Sequence, residues 1–206
     1  MLDKRNFYID GKWVKPSKID NLEVINPSNE EPFAIISLGF EEDTNLAIKA
    51  AKKAFIKWKE TSIKERITLL EKLLKIYKKR FDEMASTISI EMGAPINWSS
   101  SAQAASGQSH LEDFILRLKN FNFEEHFDSK SNNYISYEPI GVCGLITPWN
   151  WPINQIALKV IPALATGCTM ILKPSEIAPI SAMLFAEMID EAGFPPGVFN
   201  LVNGDG

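Results

Sequence analysis

The sequence predicts an α/β fold whose C-terminal third contains a parallel sheet. Three short apolar runs, at 142–146, 169–172 and 198–202, are typical of buried strands, and two helical patterns separate them. Strand, helix, strand, helix, strand is a βαβαβ unit, which implies parallel strands joined by right-handed crossovers. A unit of this kind forms half of a nucleotide-binding sheet. A hairpin signal and several amphipathic helical patterns precede it.

The composition is that of a globular protein and excludes several classes. The chain has 206 residues, of which 45% are hydrophobic and 23% charged, with a formal net charge of -4. These values argue against a disordered chain, a collagen-like chain or a disulfide scaffold. The acidic balance provides no basic surface for nucleic acid or an anionic membrane. No apolar signal segment is visible, and polar residues interrupt the most apolar stretch, so we expect a cytoplasmic protein.

The cysteines and histidines do not suggest a metal site or a nucleophile. Cys143, Cys168, His110 and His126 show none of the spacings typical of metal ligands. Both cysteines lie in apolar stretches, whereas a reactive thiol needs an electropositive and partly exposed environment. We therefore interpret both as buried hydrophobic residues, which fits a reducing compartment, and we expect no metal.

Strand signals come first in the chain. Asp10-Gly11 lies between alternating aromatic and polar residues over 7–13, which predicts a hairpin. Asn26-Pro27 marks a turn between two extended pieces within 22–38. We expect these strands to pack with the helices that follow.

Helical patterns occupy the chain from about residue 43 to residue 120. Asp43 is a candidate cap for the first helix. Ser62 and Glu65 form a capping box before one long amphipathic helix, or two in series, ending at Gly93. A further helix is predicted over 96–120, weakened by a glycine at position 107.

The segment 121–139 differs from its neighbours. It is polar and interrupted, and it ends in the alternating run Tyr134-Ile135-Ser136-Tyr137. We interpret it as an irregular excursion with one or two strands. The chain therefore divides into strands and helices over 1–120, this excursion, and a βαβαβ unit over 140–206.

Runs of polar residues, prolines or glycines follow each predicted parallel strand. Ligands of open α/β sheets bind outside the carboxyl ends of the strands, so these runs should converge. They are Thr147-Pro148-Trp149-Asn150-Trp151-Pro152, Lys173-Pro174-Ser175-Glu176 and Gly204-Asp205-Gly206.

Asn150 is the candidate catalytic residue. Its amide supplies two donors on a loop that flanking prolines stiffen and two tryptophans shield from water. A rigid donor in a dry site stabilises charge that develops on a carbonyl oxygen. The alternative is that Asn150 caps the helix that begins near Pro152.

Lys173 and Glu176 are candidate ribose ligands. A carboxylate accepts hydrogen bonds from ribose hydroxyls and repels a 2′-phosphate, which favours NAD over NADP. Lys173 tolerates a phosphate, so that selection is not clean, and a surface ion pair is the alternative. Gly204 and Gly206 are only the opening of a GxGxxG motif, and an ordinary glycine turn explains them equally well.

Taken together, these runs resemble the NAD(P)-dependent aldehyde dehydrogenase family. Several motifs come in the family's order and spacing, most clearly over 138–206 and more loosely over 7–95. The runs that carry the resemblance are Glu138–Gly144, Thr147–Pro152, Pro162–Cys168, Lys173–Glu176, Glu191–Asn200 and Gly204–Gly206, with Asp10–Trp13, Asn26-Pro27 and Glu91-x-Gly93-x-Pro95 in the first part.

The resemblance implies a fold and a set of site residues. The fold is an N-terminal hairpin and helices, a subunit-bridging excursion at 121–139 and the first part of a Rossmann-like domain, truncated before the catalytic domain. Asn150 matches the family's oxyanion-site asparagine. The positions that match cofactor contacts are Ile146, Thr147, Pro148, Trp149, Lys173, Ser175, Glu176 and Gly206.

The implied reaction is the oxidation of an aldehyde to a carboxylic acid with NAD, and less readily with NADP. In that family the reaction proceeds through a thiohemiacetal and then a thioester on a cysteine. The family's nucleophilic cysteine and its general-base glutamate lie downstream of the segment matched here. Neither Cys143 nor Cys168 matches that nucleophile. We therefore expect the chain alone to be inactive, and its longer parent to act on a small aldehyde as a homodimer or homotetramer, without nucleic acid or membrane partners.

Two alternatives remain open from the sequence. One is a catalytically silent relative that binds nucleotide or plays a structural role. The other is an NADP-using acyl-phosphate reductase of related fold, which Glu176 and Asn150 disfavour. A sheet ending at its third parallel strand should also leave an unpaired apolar edge there and make the isolated chain poorly behaved.

Overall fold

The computed structural model describes residues 1–128 and 132–205 of the chain. The strands are β1 (Leu2–Lys4), β2 (Phe7–Ile9), β3 (Lys12–Val14), β4 (Asn21–Asn26), β5 (Glu31–Ser37), β6 (Glu124–His126), β7 (Tyr134–Ser136), β8 (Val142–Ile146), β9 (Thr169–Lys173) and β10 (Phe199–Leu201). The helices are α1 (Glu41–Trp58), α2 (Ile63–Lys79), α3 (Phe81–Met92), α4 (Ile96–Trp98), α5 (Ala105–Asn120), α6 (Pro152–Ala165) and α7 (Ile180–Ala192), with a π-helical stretch, Ser99–Ala104, between α4 and α5.

The central sheet unites the two ends of the chain. Over the described ranges its strand order is β3-β2-β10-β9-β8. β8, β9 and β10 are parallel, which confirms the βαβαβ unit. The predicted hairpin of β2 and β3 is also confirmed, and β2 pairs antiparallel with β10.

The expectation of an unpaired edge after the third parallel strand is wrong. The hairpin covers that edge of β10, and β8 forms the other end of the sheet. Local sequence pattern does not reveal this arrangement, because the paired residues Tyr8 and Leu201 are remote in the chain. The position of β8 also explains why Ile146 is 70% exposed although its run is typical of a buried strand.

Helices cover both faces of the sheet. α1 packs on one face, where Ala47 and Ala51 share an apolar cluster with Ile171. α6 and α7 cover the other face, and α2, α3 and α5 pack against them in the larger core. No helix in the described ranges is long and apolar enough to span a membrane.

The starts of the first two helices show one correct and one wrong prediction. The capping box of α2 is confirmed, because Ser62 Oγ accepts from Glu65 N at 3.2 Å and Glu65 accepts from Ser62 N at 2.7 Å. α1 begins at Glu41, earlier than predicted, so Asp43 lies inside its first turn rather than at the cap. Asp43 still accepts from Phe40 N at 2.9 Å. Acidic residues are favourable throughout a first turn, so their presence does not identify the capping position.

Gly107 provides close packing rather than a weak point in its helix. It is buried, and a Cβ there would lie 2.5 Å from the hydroxyl oxygen of Tyr77 and 2.8 Å from Ile153. The Tyr77 hydroxyl donates to Ala104 O at 2.7 Å. The prediction that Gly107 weakens the helix considered only the conformational entropy of glycine. The close contact with Tyr77 and Ile153 requires a residue without a side chain.

In the excursion at 121–139, β6 and β7 pair antiparallel, and residues 129–131 between them lie outside the described residues. In the described residues this pair joins neither of the other sheets. Phe127 is 65% exposed and Tyr134 is 58% exposed. The expectation of one or two strands is confirmed, and the hairpin presents aromatic surface to solvent.

Candidate functional site

The three runs after the parallel strands meet, as their positions in the sequence predict. Thr147 N donates to Lys173 O at 3.2 Å, which joins the ends of β8 and β9. The Lys173 ammonium donates to Gly204 O at 2.7 Å and to Asp205 O at 2.9 Å, which joins β9 to the segment after β10. Gly206, the last predicted cofactor residue, lies outside the described residues.

A cavity of about 540 Å³ opens at this edge, between α1 and the sheet. Ile146 and Lys173 are register partners on β8 and β9, and both line it. The remaining walls are largely apolar, with a second lysine on α1. They include Thr44, Ile48, Lys52, Val142, Leu145, Ile171, Val202 and Asn203.

A larger groove of about 820 Å³ lies elsewhere, between the N-terminal strands and α7. None of the predicted site residues lines it. Four of the five charged residues that line it are paired, since Lys4 contacts Glu187 at 2.7 Å and Arg5 contacts Asp3 at 2.6 Å. The smaller cavity is the better candidate, because it lies at the strand ends and includes Ile146 and Lys173, whereas the other predicted site residues in the described ranges do not line it.

The segment after β9 is rich in polar contacts. The Lys173 ammonium lies 3.7 Å from a Glu176 carboxylate oxygen, and both side chains are about 30% exposed. Ser175 is buried, and its hydroxyl accepts from Ile177 N at 3.3 Å. Lys173 and Glu176 thus form a partly shielded pair of opposite charges.

The segment after β8 is held differently. Thr147 is buried, whereas Pro148, Trp149 and Asn150 are exposed. Asn150 makes no hydrogen bond to any residue in the two described ranges. α6 begins at Pro152 with Trp151 at the capping position and no side-chain cap, so the capping alternative for Asn150 finds no support.

Trp151 of this segment packs against an aromatic ring from another helix. The Trp98 and Trp151 rings pack edge to face with centroids 6.0 Å apart. Trp98 lies in α4, directly before the π-helical stretch. The expectation that two tryptophans shield Asn150 from water is not met in the described residues, because Asn150 and Trp149 are both exposed.

Cys143 is the second residue of β8 and Cys168 precedes β9, whereas Asn150 and Glu176 follow the carboxyl ends of these strands. Cys168 is buried, as expected, but Cys143 is only half-buried because β8 lies at the end of the sheet. Burial and the neighbouring Cys168 raise the pKa of the Cys143 thiol to about 11. No group of three metal-ligating side chains occurs within the part of the chain that the structure describes.

Glu91 stands in one of the runs that carry the family resemblance, but its sequence context assigned it no role at the site. It is 1% exposed and accepts from Ile180 N at 2.6 Å and from Ser181 N at 3.1 Å, at the start of α7. Burial raises its pKa to about 7. A signal was present, since Met84, Ile88 and Glu91 occupy one helical face and only Glu91 among them is polar.

Comparison with known proteins places the chain in a family. The model of the aldehyde dehydrogenase family matches residues 13–206. A 3-succinoylsemialdehyde-pyridine dehydrogenase from a Pseudomonas species is 53% identical over the whole chain, which spans 43% of that protein.

Solved structures agree in fold. An aldehyde dehydrogenase from Bartonella henselae superimposes with a TM-score of 0.98 at 59% identity, over 100% of this chain and 44% of that one. A mutant aldehyde dehydrogenase C from Pseudomonas syringae, in complex with NAD+ and octanal, gives 0.94 at 43% identity, over 98% of this chain and 41% of that one. The chain thus covers under half the length of these relatives, with an α/β fold that matches their N-terminal part, and it belongs to the aldehyde dehydrogenase family.

Proposed function

We propose that this chain contributes the cofactor site and the oxyanion donor of an enzyme that oxidises an aldehyde to a carboxylic acid with NAD. The observation that carries the proposal is the convergence of the Lys173–Glu176 pair and the Asn150 segment at one edge of the sheet. A related dehydrogenase has been crystallised with NAD+ and an aldehyde.

The site residues fit the adenosine half of NAD. The cavity offers apolar walls for a flat base, and the Lys173–Glu176 pair supplies a donor and an acceptor for ribose hydroxyls. We infer that Ile146, Thr147, Pro148, Trp149 and Ser175 shape the path of the cofactor, and that Gly206 lies beside it. The Glu176 carboxylate would repel a 2′-phosphate, which favours NAD over NADP.

NAD supplies the hydride acceptor when it is bound. Asn150 then donates from its amide to the aldehyde oxygen, on which negative charge develops. Its freedom from other hydrogen bonds in the described chain leaves both donors available. The prolines and tryptophans around it limit the reorganisation needed to reach the oxygen.

We infer that the nucleophilic cysteine and the general base lie in the remainder of the protein. Cys143 and Cys168 lie near the amino ends of β8 and β9, whereas Asn150 and Glu176 follow the carboxyl ends. A strand of five residues separates these ends by over 10 Å. The raised pKa of Cys143 also keeps it protonated near neutral pH.

The alternative proposal is a silent relative that binds nucleotide without catalysis. The full-length protein distinguishes the two. NADH formation should be measured with a panel of aldehydes and both cofactors, and NAD binding should be measured separately by calorimetry. NAD binding without turnover of any aldehyde supports the silent relative, whereas the absence of NAD binding contradicts both proposals.

We also propose that the 121–139 hairpin joins subunits in a homodimer or homotetramer. Its exposed aromatic residues and its separation from the other described sheets favour pairing with a partner sheet, because an isolated hairpin is marginal in water. Replacing 121–139 with a short flexible linker should lower the mass measured by light scattering. Shortening the β4–β5 turn at 27–30 is the control, and an unchanged mass in the first variant contradicts this role.

A further inference from the structure

We propose that Glu91 is a positioning residue for cofactor binding: its buried carboxylate anchors the first turn of α7 and thereby sets the path of the 174–179 segment that carries Glu176. This inference rests on the proposed cofactor site. Glu91 does not line the cavity and does not contact Lys173 or Glu176. It therefore acts through the 174–179 segment and not by contact with NAD.

The anchor is a contact between distant parts of the chain. Glu91 ends the buried face of α3 and is separated by about ninety residues from its partners on α7. Its two carboxylate oxygens accept separately from Ile180 N and Ser181 N. These N–H groups belong to the first turn of α7. The N–H groups of a first turn find no acceptor within their own helix.

The helix otherwise lacks a cap. Pro179 occupies the capping position, and no side chain of the capping residue bonds to the turn. The first turn of α7 also contains no acidic residue of its own. Glu91 therefore supplies from another helix the acceptors that the start of α7 lacks.

The geometry of the chain connects this anchor to the proposed ribose pair. β9 fixes the position of Lys173 by pairing with β8 and β10, and Glu91 fixes Ile180. Only the six residues of 174–179 span the distance between these two fixed points. Prolines at both ends of that span further restrict its backbone.

The burial of Glu91 shows that its charge has no role at the surface. At 1% exposure it reaches neither solvent nor, in the described residues, an ion-pair partner. A buried polar group of this kind is costly unless it is hydrogen-bonded, and the two α7 donors meet that requirement. Loss of the carboxylate leaves two N–H groups unpaired in the core and loosens the start of α7.

The test uses the full-length protein and three variants. Glu91→Ala removes the anchor, Glu91→Gln keeps one acceptor at the same length, and Glu83→Gln is the matched control, an exposed glutamate on the same helix. The dissociation constant of NAD is measured by calorimetry, and KM for each substrate and kcat are measured separately. We expect NAD to bind about tenfold more weakly to Glu91→Ala, with a smaller loss in Glu91→Gln and none in the control.

The expected kinetic signature is a rise in KM for NAD with kcat and KM for the aldehyde unchanged. If Glu91→Ala does not fold, Glu91→Gln decides by the same measurements. Unchanged NAD affinity in a folded Glu91 variant overturns the positioning role while leaving the proposed cofactor site intact. An equal loss of kcat and of affinity for both substrates also overturns it, and wild-type protein that binds no NAD overturns both proposals.

Discussion

The segments after β8 and β9 lie side by side but are stabilised in different ways. Lys173, Ser175 and Glu176 engage in hydrogen bonds or ion pairs, and the helix that follows them is anchored by Glu91. Asn150 has no such partner in the described chain, and its segment depends on prolines and the Trp98–Trp151 contact. A binding site benefits from polar groups arranged in advance, whereas an oxyanion donor must keep its hydrogens free for the transition state.

The largest effect on activity is expected for substitution of Asn150, whose amide has no hydrogen-bond partner in the described chain. Asn150→Ala in the full-length protein should lower kcat by roughly 10²–10³, or about 2.7–4 kcal/mol, because the amide stabilises charge that exists only in the transition state. NAD affinity should change little. Steady-state kinetics and calorimetry measure the two quantities, with Asn120→Ala at the end of α5 as the control. A normal kcat with lost NAD binding would show that Asn150 only shapes its segment.

The free energy of unfolding should depend on pH through Glu91, which anchors the start of α7. Burial raises the pKa of Glu91 from 4.5 to about 7, so the folded state favours the neutral acid. The stability that the raised pKa of Glu91 contributes is fully present below about pH 4.5. It is lost as pH rises through about 7, a change of about 3 kcal/mol in the free energy of unfolding. The stability difference between wild type and Glu91→Gln, from denaturant unfolding of the chain, should shrink by that amount over this range.

Glu83→Gln is the control for this titration. The Arg80 guanidinium lowers the pKa of Glu83, so its contribution has the opposite sign and is lost as pH falls. If the difference between wild type and Glu91→Gln is the same at pH 5 and pH 8, Glu91 does not titrate as its burial requires.

The preference for NAD over NADP tests the role of the Lys173–Glu176 pair. Glu176→Gln should reduce the ratio of kcat/KM for NAD over NADP by roughly 10- to 100-fold, because it removes charge-assisted hydrogen bonds and the repulsion of a 2′-phosphate. Glu191→Gln, at the far end of α7, should leave the ratio unchanged. A wild-type preference for NADP would contradict the proposed ribose contact.

The aromatic support of the Asn150 segment should have the smallest effect. Trp98→Ala should lower the free energy of unfolding by about 0.5–1.5 kcal/mol beyond the loss of buried area, since it removes one edge-to-face pair. Its kcat should fall less than that of Asn150→Ala. Ile56→Ala, an exposed residue on α1, serves as the control in thermal unfolding. A larger loss of kcat than in Asn150→Ala would mean that packing, not the amide, dominates this segment.

Patterns of neighbouring residues were enough to predict many local features. The hairpin at Asp10-Gly11, the capping box of Ser62 and Glu65 and the βαβαβ order each depend on interactions within one turn, helix or strand. Their spacing therefore carries the information directly. The meeting of the three runs after the strands also followed, because parallel strands place their carboxyl ends together.

Contacts between remote segments were decided only by the tertiary structure. Pairing of β2 with β10 closed the edge expected to be open, and Gly107 proved to be a point of close approach to Tyr77. The role of Glu91 at α7 was hidden for the same reason: a buried carboxylate on an apolar face shows its purpose only when its partners are known. The sequence by itself determined the family, the order of elements and the candidate residues, whereas packing over long sequence separation decided which strand lies at the end of the sheet and which buried charge holds a helix in place.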